Sequence, residues 1–580
     1  MKNLEEKKSK AKVLKIFMKL FVVLLILAGI AFGIKFGPNY ISKEITNKTN
    51  LVINYSNVTG RMKQDVIVDN DVIYLSLNDI MNYYDKHAYY DKQYNQIVTS
   101  SDTKLAVLKM GENSITVNGK TKNIKGAAFE KDGIYYLPIS EMEEVYDIKV
   151  VKKDNRVIVE SLDRKLTTAT TKKKVAIKYK PIVFSKTLEK VNANEKVVIA
   201  EVEANSLPNG WVKVRTEKGI IGYVEKKNLN TFKVEREQKV ISKQIEGKVS
   251  IAWEYFSEYF KAPDNSNVKY EGVNVVSPSF FNMKLQDTGK DTITMMDVVS
   301  QSKIIPNVGD EGVRYINWAH NNGYKVWAKV SNDTLNTTID EFSYIINDYQ
   351  LRSLMISDIL NYVDQYKLDG INLDFEYMYM NDSTAFSKFV IELAPQLREK
   401  GAVLSVDVTA PNGAENWSMC YDRHLIGEIA DYVVFMGYDQ YGASTIGTTS
   451  GYNWLVNSIK SMLTYDEVPA EKLILGLPFY TKLWQTKNDQ TIKGIAIGMN
   501  SVSASIPANV EKQWKEDLQQ YYVEYEQKGY VYKMWIEDEK SFAKKIDLVH
   551  DYNLAGAGYW RKGLEPSSIW DIIKGRLHIK

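Results

Sequence analysis

The sequence predicts a multidomain chain that ends in a (β/α)8 barrel. An N-terminal membrane helix, an α+β domain and a small β-barrel precede it. Three observations carry this prediction. At 580 residues the chain is too long for a single hydrophobic core. Its amino terminus is basic and then continuously apolar. From about residue 248 to residue 580, short apolar runs alternate with amphipathic helical patterns, the pattern of strands and crossover helices in a closed parallel sheet.

The anchor comes first. Lys7, Lys8, Lys10, Lys12, Lys15 and Lys19 precede an unbroken apolar run over 20–34. A spanning helix needs about twenty residues. Val13, Leu14, Ile16, Phe17 and Met18 extend the run, with Lys15 and Lys19 reaching toward the headgroups. The lysine excess predicts that residues 1–35 are a cytoplasmic tail plus a single-pass anchor, with everything after them outside the cell membrane. The alternative is secretion after signal cleavage near Gly29-Ile30-Ala31.

Residues 36–50 read as a linker, and 51–163 as an α+β domain with an internal repeat. Asp71-Val72-Ile73-Tyr74-Leu75-Ser76-Leu77 is echoed by Gly133-Ile134-Tyr135-Tyr136-Leu137-Pro138-Ile139. Asn95-Gln96-Ile97-Val98 is echoed by Asn155-Arg156-Val157-Ile158. Between the halves, Asn118-Gly119 predicts a two-residue hairpin turn, because both positions need positive φ. This pattern resembles the stalk-like domain named after the amino terminus of copper amine oxidases. The resemblance implies a spacer and no copper chemistry.

Thr167 to Lys174 is polar and unpatterned and reads as a linker. Over 175–230, Gly210-Trp211-Val212-Lys213-Val214 followed by Gly222-Tyr223-Val224 resembles a bacterial SH3-type barrel, with Trp211 and Tyr223 expected in its core. The charges at 235–237 read as a solvated connector.

Within 248–580, eight strands are expected at 249–253, 273–281, 325–330, 370–376, 404–408, 432–438, 473–479 and 556–560. The fourth carries Asp369-Gly370-Ile371-Asn372-Leu373-Asp374-Phe375-Glu376. Residues two apart on a strand share a face. Asn372, Asp374 and Glu376 therefore face one way, and Ile371, Leu373 and Phe375 the other. A row of acids on an inner face needs partners in a core and is reasonable at the mouth of an active site.

This stretch resembles the D-G-x-D-x-D-x-E signature of family 18 glycoside hydrolases, chitinase-like barrels. The branch it is most similar to is the bacterial spore-cortex and cell-wall N-acetylglucosaminidases. One position departs: Asn372 stands where most members have Asp. The resemblance implies a retaining reaction assisted by the substrate's own N-acetyl group. Glu376 is then the acid, later the base, and Asp374 steers the acetamido group. Asn372 is expected to donate to Asp374 and to alter the pH dependence. Met436-Gly437-Tyr438-Asp439 resembles the family's M-x-Y-D, which places Tyr438 in catalysis and Met436 and Asp439 at the substrate. Asp369 is counted with the substrate-binding residues. Trp560 is expected to floor the site, while Tyr480 and Ser277-Pro278-Ser279-Phe280-Phe281 are expected in its walls. Asp538 reads as a helix cap.

Composition limits the rest. Lys+Arg 75 against Asp+Glu 72 gives a net charge of +3, which implies no broad basic face for nucleic acid. The single cysteine, Cys420, cannot form an intrachain disulfide and reads as a buried apolar residue. The five histidines lack metal-ligand spacing, so neither metal nor cofactor is expected. The expected partner is peptidoglycan or another N-acetylglucosamine-containing glycan. The alternatives are a chitinase or an inactive glycan-binding scaffold on the same fold.

Overall fold

The computed structural model describes residues 48–200, 210–239, 244–256, 268–285, 302–335, 337–442, 445–488 and 490–579. The expected anchor over 1–35 and almost all of the linker after it lie outside the described residues. Among those described, no helix is long and apolar enough to cross a membrane. The chain divides into two compact units, one ahead of residue 242 and one from it onward, with Asp102–Leu105 grouped with the second.

In the first unit the two repeat halves meet directly. Val72–Ser76 pairs antiparallel with Ile134–Pro138, Leu75 opposite Leu137. Each strand runs into a short helix. Ser76 caps Leu77–Tyr83 by accepting from the Asp79 N–H at 3.1 Å. The second half turns through Ile139–Glu141 into Glu143–Tyr146. The Asn118-Gly119 turn joins Ser114–Val117 to Lys120–Asn123, with φ of 44° and 77° at the two turn residues, as a type I′ hairpin requires.

The next sheet has seven strands and overturns both linker expectations. Leu166–Thr170 is a strand between Lys196–Ile199 and Lys233–Arg236. Threonine is β-branched and suits a pleated surface. Thr168 and Ala169 are buried. Glu235 accepts from Thr168 Oγ1 at 3.1 Å and from Lys196 Nζ at 2.6 Å, so this charged run is solvent-exposed as expected but forms an edge strand rather than a connector. Val175, Ile177, Val197, Val214 and Val224 form the core, and Trp211 and Tyr223 stand half-buried outside it.

The second unit contains the barrel. Its strands are β1 (Val249–Glu254), β2 (Val275–Pro278), β3 (Lys325–Ser331), β4 (Gly370–Asp374), β5 (Val403–Val408), β6 (Tyr432–Met436), β7 (Leu473–Pro478) and β8 (Gly556–Trp560). Each pairs in parallel with the next, and β8 closes on β1 through Val249 opposite Gly556. The expected second strand is two: β2 stops at Pro278, and Phe281–Leu285 then starts a hairpin beside β3. A five-stranded antiparallel sheet, beginning at Tyr480–Lys487 and ending at Tyr530–Ile536, is inserted between β7 and β8. The sequence reading did not foresee it.

Two cores hold the barrel. Ile371, Leu373 and Phe375 face the helices with Phe386 and Phe389 of Ser383–Glu399. Trp253, Trp327, Val434 and Ile474 fill the interior. Full burial of each such side chain stabilises the fold by roughly 1.5–3 kcal/mol. Trp253 fits because residue 558 is glycine: a Cβ there would lie 2.6 Å from the indole ring.

Candidate active site

Above the apolar layer of the barrel interior, the inward positions turn polar toward the carboxyl ends of the strands. Register places Lys329 beside Asn372, Ser331 beside Asp374, and Asn372 beside Ser405. Asp407 follows two residues along β5, on the same face.

Asn372 is fully buried. Its Oδ1 accepts from Trp253 Nε1 at 2.7 Å and Ser277 Oγ at 3.4 Å. Its Nδ2 donates to Asp407 Oδ1 at 2.6 Å and Ser405 Oγ at 3.1 Å. This corrects the sequence expectation: the amide serves Asp407, not Asp374. The bonds from Trp253 and Ser277 fix the carbonyl toward β1 and β2, which leaves the NH2 group facing β5.

Asp374 is buried and held from β3. Lys329 Nζ lies 2.6 Å from its Oδ2, with both side chains nearly out of solvent. Its Oδ1 is buried and accepts no hydrogen bond from a described donor. Burial, the largest influence, would lower the Lys329 pKa, but Asp374 together with Glu376 and Asp407 outweighs it and the net shift is upward. Sequence reasoning missed Lys329, although a lone lysine within an apolar strand is itself a signal that an acid waits nearby.

Glu376 lies just past the end of β4. Burial, and then the adjacent Asp374, push its carboxyl well above the usual range, against the opposing pull of Lys329. Burial and Asp374 likewise push Asp407 well up, against the Asn372 hydrogen bond. The backbone of Glu376 is clamped by buried Asn332, which accepts from its N–H at 3.1 Å and donates to its C=O at 2.7 Å. Tyr421 Oη donates to the Phe375 C=O at 2.7 Å. Neither Asn332 nor Tyr421 carried a sequence signal.

A cavity of about 130 Å³ opens here, lined by Asp374, Glu376, Asp407, Trp417, Met436, Tyr438, Asp439 and Trp560. Of the expected residues, Glu376, Asp374, Tyr438, Met436, Asp439 and Trp560 therefore converge on it. The Trp560 ring meets Trp253 edge-on at 6.1 Å and Lys329 Nζ at 5.6 Å. Burial, and then Asp407 and Asp374, push the Tyr438 hydroxyl well up, which keeps it a donor. Trp417, on the loop after β5, was not foreseen. It packs at 4.7 Å against Tyr377, whose side chain is exposed at the rim.

Other expected residues lie elsewhere. Asp369 precedes β4 at the opposite mouth of the barrel, where it binds His320 Nε2 at 2.8 Å, Lys325 Nζ at 2.9 Å and the Val326 N–H at 3.0 Å. It ties β4 to β3 and is not at the cleft. Phe280 and Phe281 are buried in the outer core, not the cleft wall. Tyr480 sits behind the wall, its Oη donating to Asp439 Oδ1 at 2.7 Å, with Lys482 Nζ at 2.7 Å from the same oxygen. Cys420 is buried, its thiol pushed up to about 11 by burial. Asp538 caps Glu539–Ile546. Among the described residues, no group of three or more His, Cys, Asp or Glu side chains is placed to hold a metal ion.

The sequence model of the glycosyl hydrolases family 18 matches residues 251–564, and that of the copper amine oxidase N-terminal domain matches residues 52–159. The chain is 26% identical over 278 residues to an uncharacterized glycosylase, YvbX, of Bacillus subtilis, covering 46% of this chain and 79% of that one. It is 24% identical over 243 residues to the cortical fragment-lytic enzyme of Bacillus subtilis, covering 40% of this chain and 56% of that one. The chain thus spans little more than half the length of this second relative. Among solved structures, the Bacillus megaterium spore cortex-lytic enzyme SleL is similar at 19% identity with a TM-score of 0.48, covering 59% of this chain and 77% of that one. A Chromobacterium violaceum chitinase is similar at 22% identity with a TM-score of 0.49, covering 57% of this chain and 100% of that one.

Proposed function

This chain belongs to glycosyl hydrolase family 18, and from that premise we propose that it cleaves β-1,4-linked N-acetylglucosamine in peptidoglycan, with retention, from the outer face of a membrane. The observation that carries the proposal is the carboxyl pair at the end of β4. Glu376 has its pKa raised by burial and by Asp374, so it keeps a proton for a leaving glycosidic oxygen. Asp374 adjoins it, on the same side of the cleft, and does not face it across a scissile bond. The role of nucleophile then falls to the carbonyl oxygen of the substrate's own acetamido group. That oxygen attacks the anomeric carbon as the glycosidic bond breaks and Glu376 protonates the departing oxygen. Asp374 Oδ1, buried and free of any described donor, accepts from the acetamido N–H. Tyr438 donates to the acetamido oxygen as it swings toward the anomeric carbon. Glu376, now ionised, takes a proton from water as that water opens the cyclic intermediate. Trp560 gives the apolar face of the sugar a flat floor.

The reading of the substrate as peptidoglycan is supported by the likeness to a cortical fragment-lytic enzyme, and the reading of an anchored protein by the lysine asymmetry around 20–34. Digestion of purified peptidoglycan by the full-length protein tests the first. Mass spectrometry is expected to find new N-acetylglucosamine reducing ends, with the β-anomer formed first by NMR. Release of N-acetylmuramic acid ends, or cleavage of chitin oligomers alone, overturns it. Protease added to intact cells is expected to digest residues beyond 36 while the protein stays with membranes in high salt.

A further inference from the structure

Asp374 must present one oxygen to the acetamido group in a fixed direction, and the neighbour expected to orient it does not. Both amide hydrogens of Asn372 are committed, to Asp407 and to Ser405. The bond that fixes Asp374 comes instead from Lys329, at 2.6 Å to Oδ2. A lysine at the centre of a buried strand is costly to keep, and this one is not a stray surface residue: it faces inward, in register with Asn372, and its ammonium lies 5.6 Å from the Trp560 ring. One cation therefore touches two walls of the cleft, the steering carboxylate and the aromatic floor.

We propose that Lys329 is a positioning residue for the hydrolysis, holding Asp374 by Oδ2 so that Oδ1 is presented to the substrate, in place of an acid at position 372. This rests on the reading of the cleft as a glycosidase site. The charged groups that face Glu376 are Asp374 on β4, Asp407 on β5 and Lys329 on β3. The hydroxyls of Tyr377, Tyr421, Tyr438 and Tyr480 and the Cys420 thiol also face it. All five are pushed upward by burial and stay neutral through the working range. Lys329 opposes the rise in the Glu376 pKa. Removing its charge therefore lets Glu376 hold its proton to higher pH, and the alkaline limb of kcat/KM moves up.

The test uses the full-length protein with Lys329→Met and Lys329→Arg. On a soluble aryl glycoside of an N-acetylglucosamine oligomer, Lys329→Met is expected to lose about a hundredfold in kcat, as for a misplaced catalytic group, and to raise KM about tenfold as the acetamido contact weakens. Its alkaline limb is expected to rise by half a pH unit or more. Lys329→Arg, which keeps the charge, is expected to restore the limb and most of kcat. An unmoved limb, or equal loss in the two variants, overturns the proposal. A second arm needs no turnover. In a Glu376→Gln background, Lys329→Met is expected to weaken binding of triacetylchitotriose tenfold or more, and Lys329→Arg by less than threefold. Equal affinities, or no binding at all, overturn the role of Lys329. A wild-type protein that binds this glycan and never cleaves any N-acetylglucosamine polymer refutes the hydrolase reading, and the binding arm then decides on Lys329 separately.

Discussion

Asp369 and Asp374 bracket the same strand, roughly 17 Å apart at about 3.3 Å per residue, and they live under opposite rules. At the amino end, Asp369 receives three hydrogen bonds, from His320, Lys325 and the Val326 backbone. Its oxygens are occupied, and its work is to tie two strands together. At the carboxyl end, Asp374 has one oxygen on Lys329 and the other without a described donor, and Glu376 beside it holds its proton because burial and a like charge disfavour ionisation. The signature reads as one acidic motif, yet only its last part has unmet bonding capacity. Reactivity here follows the deficit of partners rather than the presence of an acid.

The comparison can be broken most forcefully by removing the open carboxylate. Asp374→Asn is expected to cost about a hundredfold or more in kcat, because the acetamido group loses its anionic partner. Near-normal turnover would show that the deficit at Asp374 is incidental. A smaller loss is expected from Asn332→Ala, about tenfold in kcat with KM nearly unchanged, since Glu376 would lose the clamp on its backbone and not its chemistry. A change confined to KM would count against that role.

Asn372→Asp sharpens the contrast through stability. It would replace the donor facing Asp407 with an acceptor in a fully buried place, so the proton affinity of Asp407, already raised, rises further. A carboxyl whose folded pKa lies above its unfolded value of about 3.9 contributes stability that is fully present below that value and is lost as pH climbs through the folded pKa. The melting temperature of the variant should therefore fall more steeply than that of the wild type between pH 4 and pH 8. Parallel curves would mean that position 372 is not electrostatically coupled to Asp407.

The architecture of the barrel was written plainly in its pattern. Eight apolar runs bounded by turns and helices became eight paired strands, and Asn118-Gly119 became the tight turn its backbone demands. The acids at the end of β4 were equally legible, because polar groups at alternate positions of an apolar strand betray an inward face. What stayed hidden depends on neighbours distant in sequence. The partner of Asn372 was unreadable, since only the register of β4 with β5 shows that Asp407 stands closer to its amide than Asp374. Asp369 looked functional because a motif has no top or bottom until its strand is placed in a barrel. The strand at Leu166–Thr170, flanked on both sides, was hidden by its polarity, because threonines enter a sheet without apolar alternation. Trp417 came from a loop that carries no periodicity.

The most direct test sets the two ends of β4 against each other. Glu376→Gln and Asp369→Asn would be made in the full-length protein, with kcat/KM on one soluble N-acetylglucosamine substrate and melting temperature measured for each. A loss of about a hundredfold or more is expected for Glu376→Gln, with its melting temperature within about 1 °C of wild type, less than the shift expected from 1 kcal/mol in a unit of this size. For Asp369→Asn, kcat/KM is expected within about threefold of wild type, and the melting temperature lowered by about 1.5–3 °C as about one to two kcal/mol of hydrogen bonding is lost. A Glu376→Gln protein that still cleaves, or an Asp369→Asn protein that keeps its stability and loses its activity, would contradict this account.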